Sequence, residues 1–153
     1  MASPQDQTSA FVTASRALLS LAVRTIAEAP VEVTLAQHRV LVLLSARGDQ
    51  PVGDIADGLG VNPSNATRIC DRLQRLNLIS RTRSEQDRRV VVISLSPQGA
   101  DLVRAVTARR HVEVEKVLDR MTPEQTAQVV QALEVFNRAA GEIEDPDWAT
   151  PPW

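Results

Sequence analysis

Apolar residues recur at helical spacing over 7–29, where Phe11, Leu18, Leu19, Ala22 and Ile26 share a face and no Gly or Pro interrupts the chain before Pro30. Thr34 stands three residues ahead of Gln37, the form of a capping box, and opens a second helix. Leu35 and the run 40–44 make that helix apolar nearly all round, so it is expected at the centre of the fold. Arg47-Gly48-Asp49 ends it. Val52, Ile55, Ala56 and Leu59 predict a short helix closed by Gly60. Asn62-Pro63 starts the next, because Asn caps well and Pro fits a first turn whose N–H lacks a partner anyway. That helix is predicted to reach about Leu76, with Asn77 as a left-handed stop.

The period then changes. Segments 79–83 and 90–95 are short and rich in β-branched residues, and they flank the polar stretch 84–89, which reads as a hairpin. Ser96-Pro97 caps a long helix to about Asp119, and Thr122-Pro123 with Gln125 opens the last, to about Ala140. The acidic, Pro-rich tail 142–153 is expected to be loosely held. The order predicts a mainly α fold with one small β-hairpin wing. It is a winged helix-turn-helix over 34–96, flanked by N- and C-terminal dimerisation helices over 7–29 and 97–141, within a single domain over 1–153. Dimerisation is expected because the stripes Phe11, Leu18, Ile26 and Val129, Val130, Leu133, Phe136 exceed what a winged helix of ~70 residues can cover.

Composition narrows the picture. At 153 residues with 43% hydrophobic and 24% charged, the chain can bury one core. No uninterrupted apolar run approaches the ~20 residues of a membrane span, and the start MASPQDQTSA shows no secretory pattern, so a soluble cytoplasmic protein is expected. The net charge of −2 hides an asymmetry. Seven arginines and three acids lie between Asn62 and Arg89, against ten basic and sixteen acidic residues elsewhere. An acidic body with one basic stripe is the layout of a polyanion binder, although a solvated helix face can show the same clustering.

The architecture gives that stripe a place. A helix-turn-helix needs a small residue in its first helix, a Gly-like turn and apolar positions facing back from the second. Ala56, Gly60 and Val61 fill the first two roles, and Ala66, Ile69, Leu73 and Leu76 supply the third. The opposite face carries Ser64, Asn65, Arg68, Asp71, Arg72 and Arg75. The N-terminal half of such a helix enters the major groove, so Ser64, Asn65, Thr67 and Arg68 are expected near base edges, with Arg68 reading a guanine. Arg72 and Arg75, further along, are expected at phosphates. In the hairpin, Arg81, Arg83, Arg88 and Arg89 crowd a two-stranded ribbon beside Asp87. That crowding is tolerable if an acid pins one arginine or a polyanion neutralises them, and a wing-tip arginine suits a narrow minor groove. A charged ribbon that discourages aggregation is the plainer alternative.

Asp71-Arg72-Leu73, Asn77-Leu78-Ile79-Ser80-Arg81, Asp87-Arg88-Arg89 and Leu95-Ser96-Pro97-Gln98-Gly99, in this order, resemble the recognition helix and wing of the MarR (multiple antibiotic resistance regulator) family. Thr34-Leu35 with Gln37 resembles it too. The likeness covers about 18–131. Asn77 stands for the usual glycine and Ser96 for threonine. The resemblance implies a homodimeric DNA-binding regulator, usually a repressor on a pseudo-palindromic double-stranded operator, often released by a small phenolic or anionic ligand. It also implies that Arg89 enters the minor groove, oriented by Asp87, with Arg88 able to share the role.

Rival chemistries are thin. There is no Ser-His-Asp grouping, Gly-rich phosphate loop or metal motif, so no enzyme, cofactor or metal is expected. His38 and His111 lack partners at metal-ligand spacing. Cys70, the one cysteine, invites a redox-sensing regulator, but it falls near the inward helix face, where a small buried residue is expected. A winged-helix adaptor that never touches DNA is the remaining alternative. For a ligand, Arg16, Arg24 and His38 are the candidate contacts. Nothing in the pattern places Trp148 and Trp153.

Overall fold

The helices begin where the sequence supplies an oxygen to the first turn. Helix α1 (Pro4–Ala27) starts earlier than its apolar period predicts, because Ser3 and Asp6 form a reciprocal capping box. In α2 (Leu35–Arg47), Thr34 Oγ1 accepts from the Gln37 amide while Gln37 Oε1 accepts from the Thr34 N–H at 2.9 Å. A short strand β1 (Gln50–Pro51) leads into α3 (Val52–Leu59), which Gly60 closes in the left-handed region at φ 66°. Asn62 Oδ1 accepts from the Asn65 amide at 2.8 Å and opens α4 (Pro63–Arg75). Asn77 then adopts φ 57°, the left-handed stop expected of it. Strands β2 (Ile79–Arg83) and β3 (Val91–Leu95) make the wing. Ser96 caps α5 (Pro97–Leu118), and Thr122 with Gln125 caps α6 (Pro123–Ala140). This computed structural model describes residues 3–143; the tail from 144 onward, with Trp148 and Trp153, lies outside the described residues.

The ribbon expected to have two strands belongs to a three-stranded antiparallel sheet of order β1-β3-β2. Gln50 faces Ile93 and Pro51 faces Val92, while Ile79 faces Leu95 and Arg83 faces Val91. A two-residue strand has no period to read. Its place is fixed by tertiary contacts, including the buried Gln50 Nε2 donating to the Leu43 carbonyl at 3.3 Å.

Helix α2 is central, as its all-round apolarity predicts. Val40, Leu41 and Leu44 pack with Ile55, Leu73, Leu78, Ile93, Leu102 and Val106 in one cluster. Each fully buried aliphatic of this size contributes about 1.5–3 kcal/mol. The start of α5 docks on the corner between α4 and β2. Ser96 N–H donates to Leu78 O at 3.1 Å and Ser96 Oγ donates to Asn77 O at 2.7 Å. A side chain at Gly99 would collide with the Leu78 carbonyl oxygen and approach Leu95 Cδ1 to 2.8 Å, so the Gly of the sequence motif is a packing requirement.

Helix α1 lies on α5, burying Leu21, Thr25 and Ile26, and Arg109 donates to the Glu28 carbonyl. Ile26 therefore belongs to this chain's own core and not to the outer stripe predicted for it. By length and composition α1 matches a membrane span although its longest unbroken apolar runs are short. Only its last part packs into the domain, through Leu21, Thr25 and Ile26. Phe11, Leu18, Leu19 and Val23 stay exposed on α1, as do Val129, Val130, Leu133 and Phe136 on α6, which buries none of its residues. Phe11 and Phe136 stack within the chain, ring centroids 4.9 Å apart.

Candidate functional site

Helix α4 separates its chemistry cleanly by face. Ala66, Cys70 and Leu73 are 0% exposed, and Ile69 and Leu76 pack against the core. Ser64, Thr67, Arg68, Arg72 and Arg75 are exposed on the other side. Thr67 Oγ1 donates to the Pro63 carbonyl at 2.9 Å and so stays close to its own helix. Among the described residues, Arg68, Arg72 and Arg75 have no carboxylate partner within ion-pair distance. A row of unpaired guanidiniums on one solvated helix face is a surface for phosphate or base edges. Asn65 is half-buried and turns toward a cavity behind the helix, which separates it from the fully exposed group in which the sequence placed it.

The wing arginines differ in their partners. Arg81 lies in β2, and an acid pins it. Its Nη2 lies 2.6 Å from Asp71 Oδ1 on α4, in an ion pair without an aligned hydrogen bond. Asp71 is thereby withdrawn from the polar face as well. Arg81 faces Ile93 across the strands, and that register turns its side chain back over α4. Asp87 Oδ1 accepts from the Arg89 backbone N–H at 3.0 Å and so orders the turn that carries Arg89. Ser84 helps, its Oγ accepting from the Gln86 and Asp87 amides at 3.2 and 3.4 Å. Arg83 Nη1 donates to the Arg88 carbonyl at 3.4 Å. Arg88 and Arg89 remain exposed, without a carboxylate in ion-pair range among the described residues.

Behind α4 lies a cavity of about 460 Å³, walled by Ala22, Leu35, Val42, Leu59, Val61 and Ile69. Its polar groups are His38 and Arg39 from α2, Asn65 from α4 and Arg110 from α5, with no acid among the described lining residues. His38 is buried, and its Nε2 has no hydrogen-bond partner among the described residues. Burial, then the charges of Arg110 and Arg39, lower its pKa to about 4, so it is neutral at pH 7. Burial also lowers the Arg110 pKa; its Nε donates to Thr25 Oγ1 at 3.4 Å, and no carboxylate pairs with it among the described residues. Of the three predicted ligand contacts only His38 lines this cavity. Arg16 sits on the open flank of α1 beside Val12 and Thr13, and Arg24 lies near Glu113 of α5. Arg39 and Arg110 were missed, because no local pattern marks a residue whose role is set by three helices meeting.

Cys70 is fully enclosed, and burial pushes its thiol pKa up, away from the reactive thiolate. No group of three or more potential metal ligands occurs among the described residues.

Residues 33–91 match the model of the MarR family. The chain is 38% identical to the transcriptional repressor MdtR of Bacillus subtilis over 71% of this chain and 70% of that one. It is 32% identical to the transcriptional regulator YfiV of the same organism, over 71% of this chain and 68% of the relative. Among solved structures it is similar to RV1404 of Mycobacterium tuberculosis, 35% identical with a TM-score of 0.86, covering 94% of this chain and 98% of that one. It shares its fold with FabT of Streptococcus pneumoniae, solved in complex with DNA, at 22% identity and a TM-score of 0.72 over 88% and 96% of the two chains.

Proposed function

The chain belongs to the MarR family of transcriptional regulators, not to an enzyme family, and on that premise we propose that it is a homodimeric repressor released from a pseudo-palindromic operator by a small anionic ligand. The observation that carries DNA binding is the exposed arginine face of α4, without carboxylate partners among the described residues, over an opposite face buried at Ala66, Cys70 and Leu73. Arg68 reads a guanine edge in the major groove, with Ser64 and Thr67 beside it and Asn65 at the margin. Arg72 and Arg75 hold phosphates. Arg88 and Arg89 enter the minor groove from a turn that Asp87 and Ser84 order, while Arg83 braces that turn and Arg81 positions the wing against α4. The repressor name of the Bacillus subtilis relative supports the sign of regulation.

Residues 34–96 form the reading part, and 7–29 with 97–141 the dimerisation part. The exposed apolar stripes on α1 and α6 support a two-fold interface. The cavity behind α4 takes the ligand. A half-buried guanidinium without a carboxylate, an unpartnered His38 Nε2 and apolar walls suit a flat molecule with one acidic group and a hydrogen-bonding atom. Such a ligand releases DNA by binding more tightly to a state whose two reading helices are mis-spaced than to the DNA-bound state.

The test is binding to the DNA upstream of the protein's own gene, in a salt series and with a panel of phenolic acids. Repression through phosphate and base contacts requires affinity that falls steeply with salt. An affinity that ignores salt would instead favour an adaptor role.

A further inference from the structure

Arg39 has two claims on it. It lines the cavity behind α4, and its guanidinium makes a two-pronged pair with Glu142, just past the end of α6. Arg39 Nη1 donates to Glu142 Oε1 at 2.7 Å and Nη2 donates to Oε2 at 3.0 Å. The two residues are 103 positions apart, so this pair fastens the C-terminal end of the last helix to the winged helix. Planar, two-bond pairing of this kind uses the same donor edge that a ligand carboxylate would use.

We propose that Glu142 is an internal competitor: an anion entering the cavity takes Arg39 from the Glu142 carboxylate and so unfastens Glu142 from α2. The inference rests on the reading of the cavity as an anion site and adds to it a switch and a direction. The pair is built to be exchanged. Both side chains are partly exposed, 36% for Arg39 and 42% for Glu142, and ion pairs at such positions contribute little net stability. His38 and Arg110 are not claimed by Glu142 in the same way, since its carboxylate is held by Arg39 and the neighbouring Ile143 backbone, with Arg47 acting at longer range. They remain available to hold the ligand while the exchange occurs. The released carboxylate returns to water.

The experiment titrates benzoate, with neutral benzamide as control, into the protein and into Glu142→Gln, following binding by calorimetry. Removing the competitor should tighten benzoate binding about 3- to 10-fold and leave benzamide unchanged. Benzoate binding seen only in Glu142→Gln would also support competition. Equal benzoate affinity in both proteins would overturn the switch and leave the anion site standing. Benzoate binding to neither protein would overturn the anion site, and the switch with it.

Discussion

The guanidinium of Arg81 stands 2.6 Å from the carboxylate of Asp71, so the first strand of the wing is tied to the helix that carries the exposed arginines. Under the proposed function, the pair fixes the angle between the two elements that face DNA without needing to touch DNA itself. Asp71→Ala should therefore cost about 1 kcal/mol of stability or less, given its partial exposure. It should nonetheless weaken operator binding, and Arg81→Ala added to it should cost little more. A double-mutant cycle on both readouts checks this, and additive losses in DNA binding would show that Arg81 contacts DNA directly.

Arg68 and Arg75 lie on one face but at different distances from the start of α4. Arg68→Ala should cost about 1–3 kcal/mol and relax preference at one operator position. Arg75→Ala should weaken all sequences alike and reduce the salt slope by about one. Competition binding over single-base operator variants separates the two patterns. A uniform loss for Arg68→Ala would demote it to a phosphate contact.

His38 links stability to acid. Its folded pKa of about 4 lies below the ordinary 6.5, because burial, Arg110 and Arg39 all oppose its charge. Between those values the unfolded chain binds the extra proton, so stability is complete above about pH 6.5 and falls as the pH drops towards 4. The loss over that window is on the order of 3 kcal/mol. Urea unfolding of the native protein and of His38→Phe at several pH values measures it. Equal acid slopes in both would assign the sensitivity elsewhere.

Gly99 admits no side chain. Gly99→Ala pushes a methyl into the Leu78 carbonyl, which is itself held by Ser96 N–H at 3.1 Å. The start of α5 must shift, at a cost of about 1–3 kcal/mol. A melting temperature within a degree of the parent protein would mean the corner relaxes freely.

Cys70 should behave as a core residue. A thiol reagent should label it only as fast as the protein opens, and peroxide should leave DNA affinity unchanged. Peroxide-induced release that Cys70→Ser abolishes would reinstate a redox role.

Features governed by neighbours in sequence were legible without coordinates. Thr34 with Gln37, Asn62 with Pro63, Ser96 and Thr122 with Gln125 all cap as their spacing predicts, because a cap is decided within four residues. The buried face of α4 followed from period alone. Ser3-Pro4 with Asp6 carried the same signal for the start of α1, where the apolar period drew attention further along. Contacts set by register and docking were not legible. Arg81 reads as one of four wing arginines until the pairing with Ile93 turns it towards Asp71. Arg39 and Arg110 acquire meaning only where α2, α4 and α5 enclose a common space.

Asn65 and Ile69 give α4 a second frontage, on the cavity. Under the proposed function, effector specificity can diversify at Ala22, Leu35 or Val42 while the operator stays the same. A change at Asn65 or Ile69 has to satisfy both inheritances at once. Descendants of this protein should thus drift in what they sense faster on the α1 and α2 side of the chamber than on the α4 side.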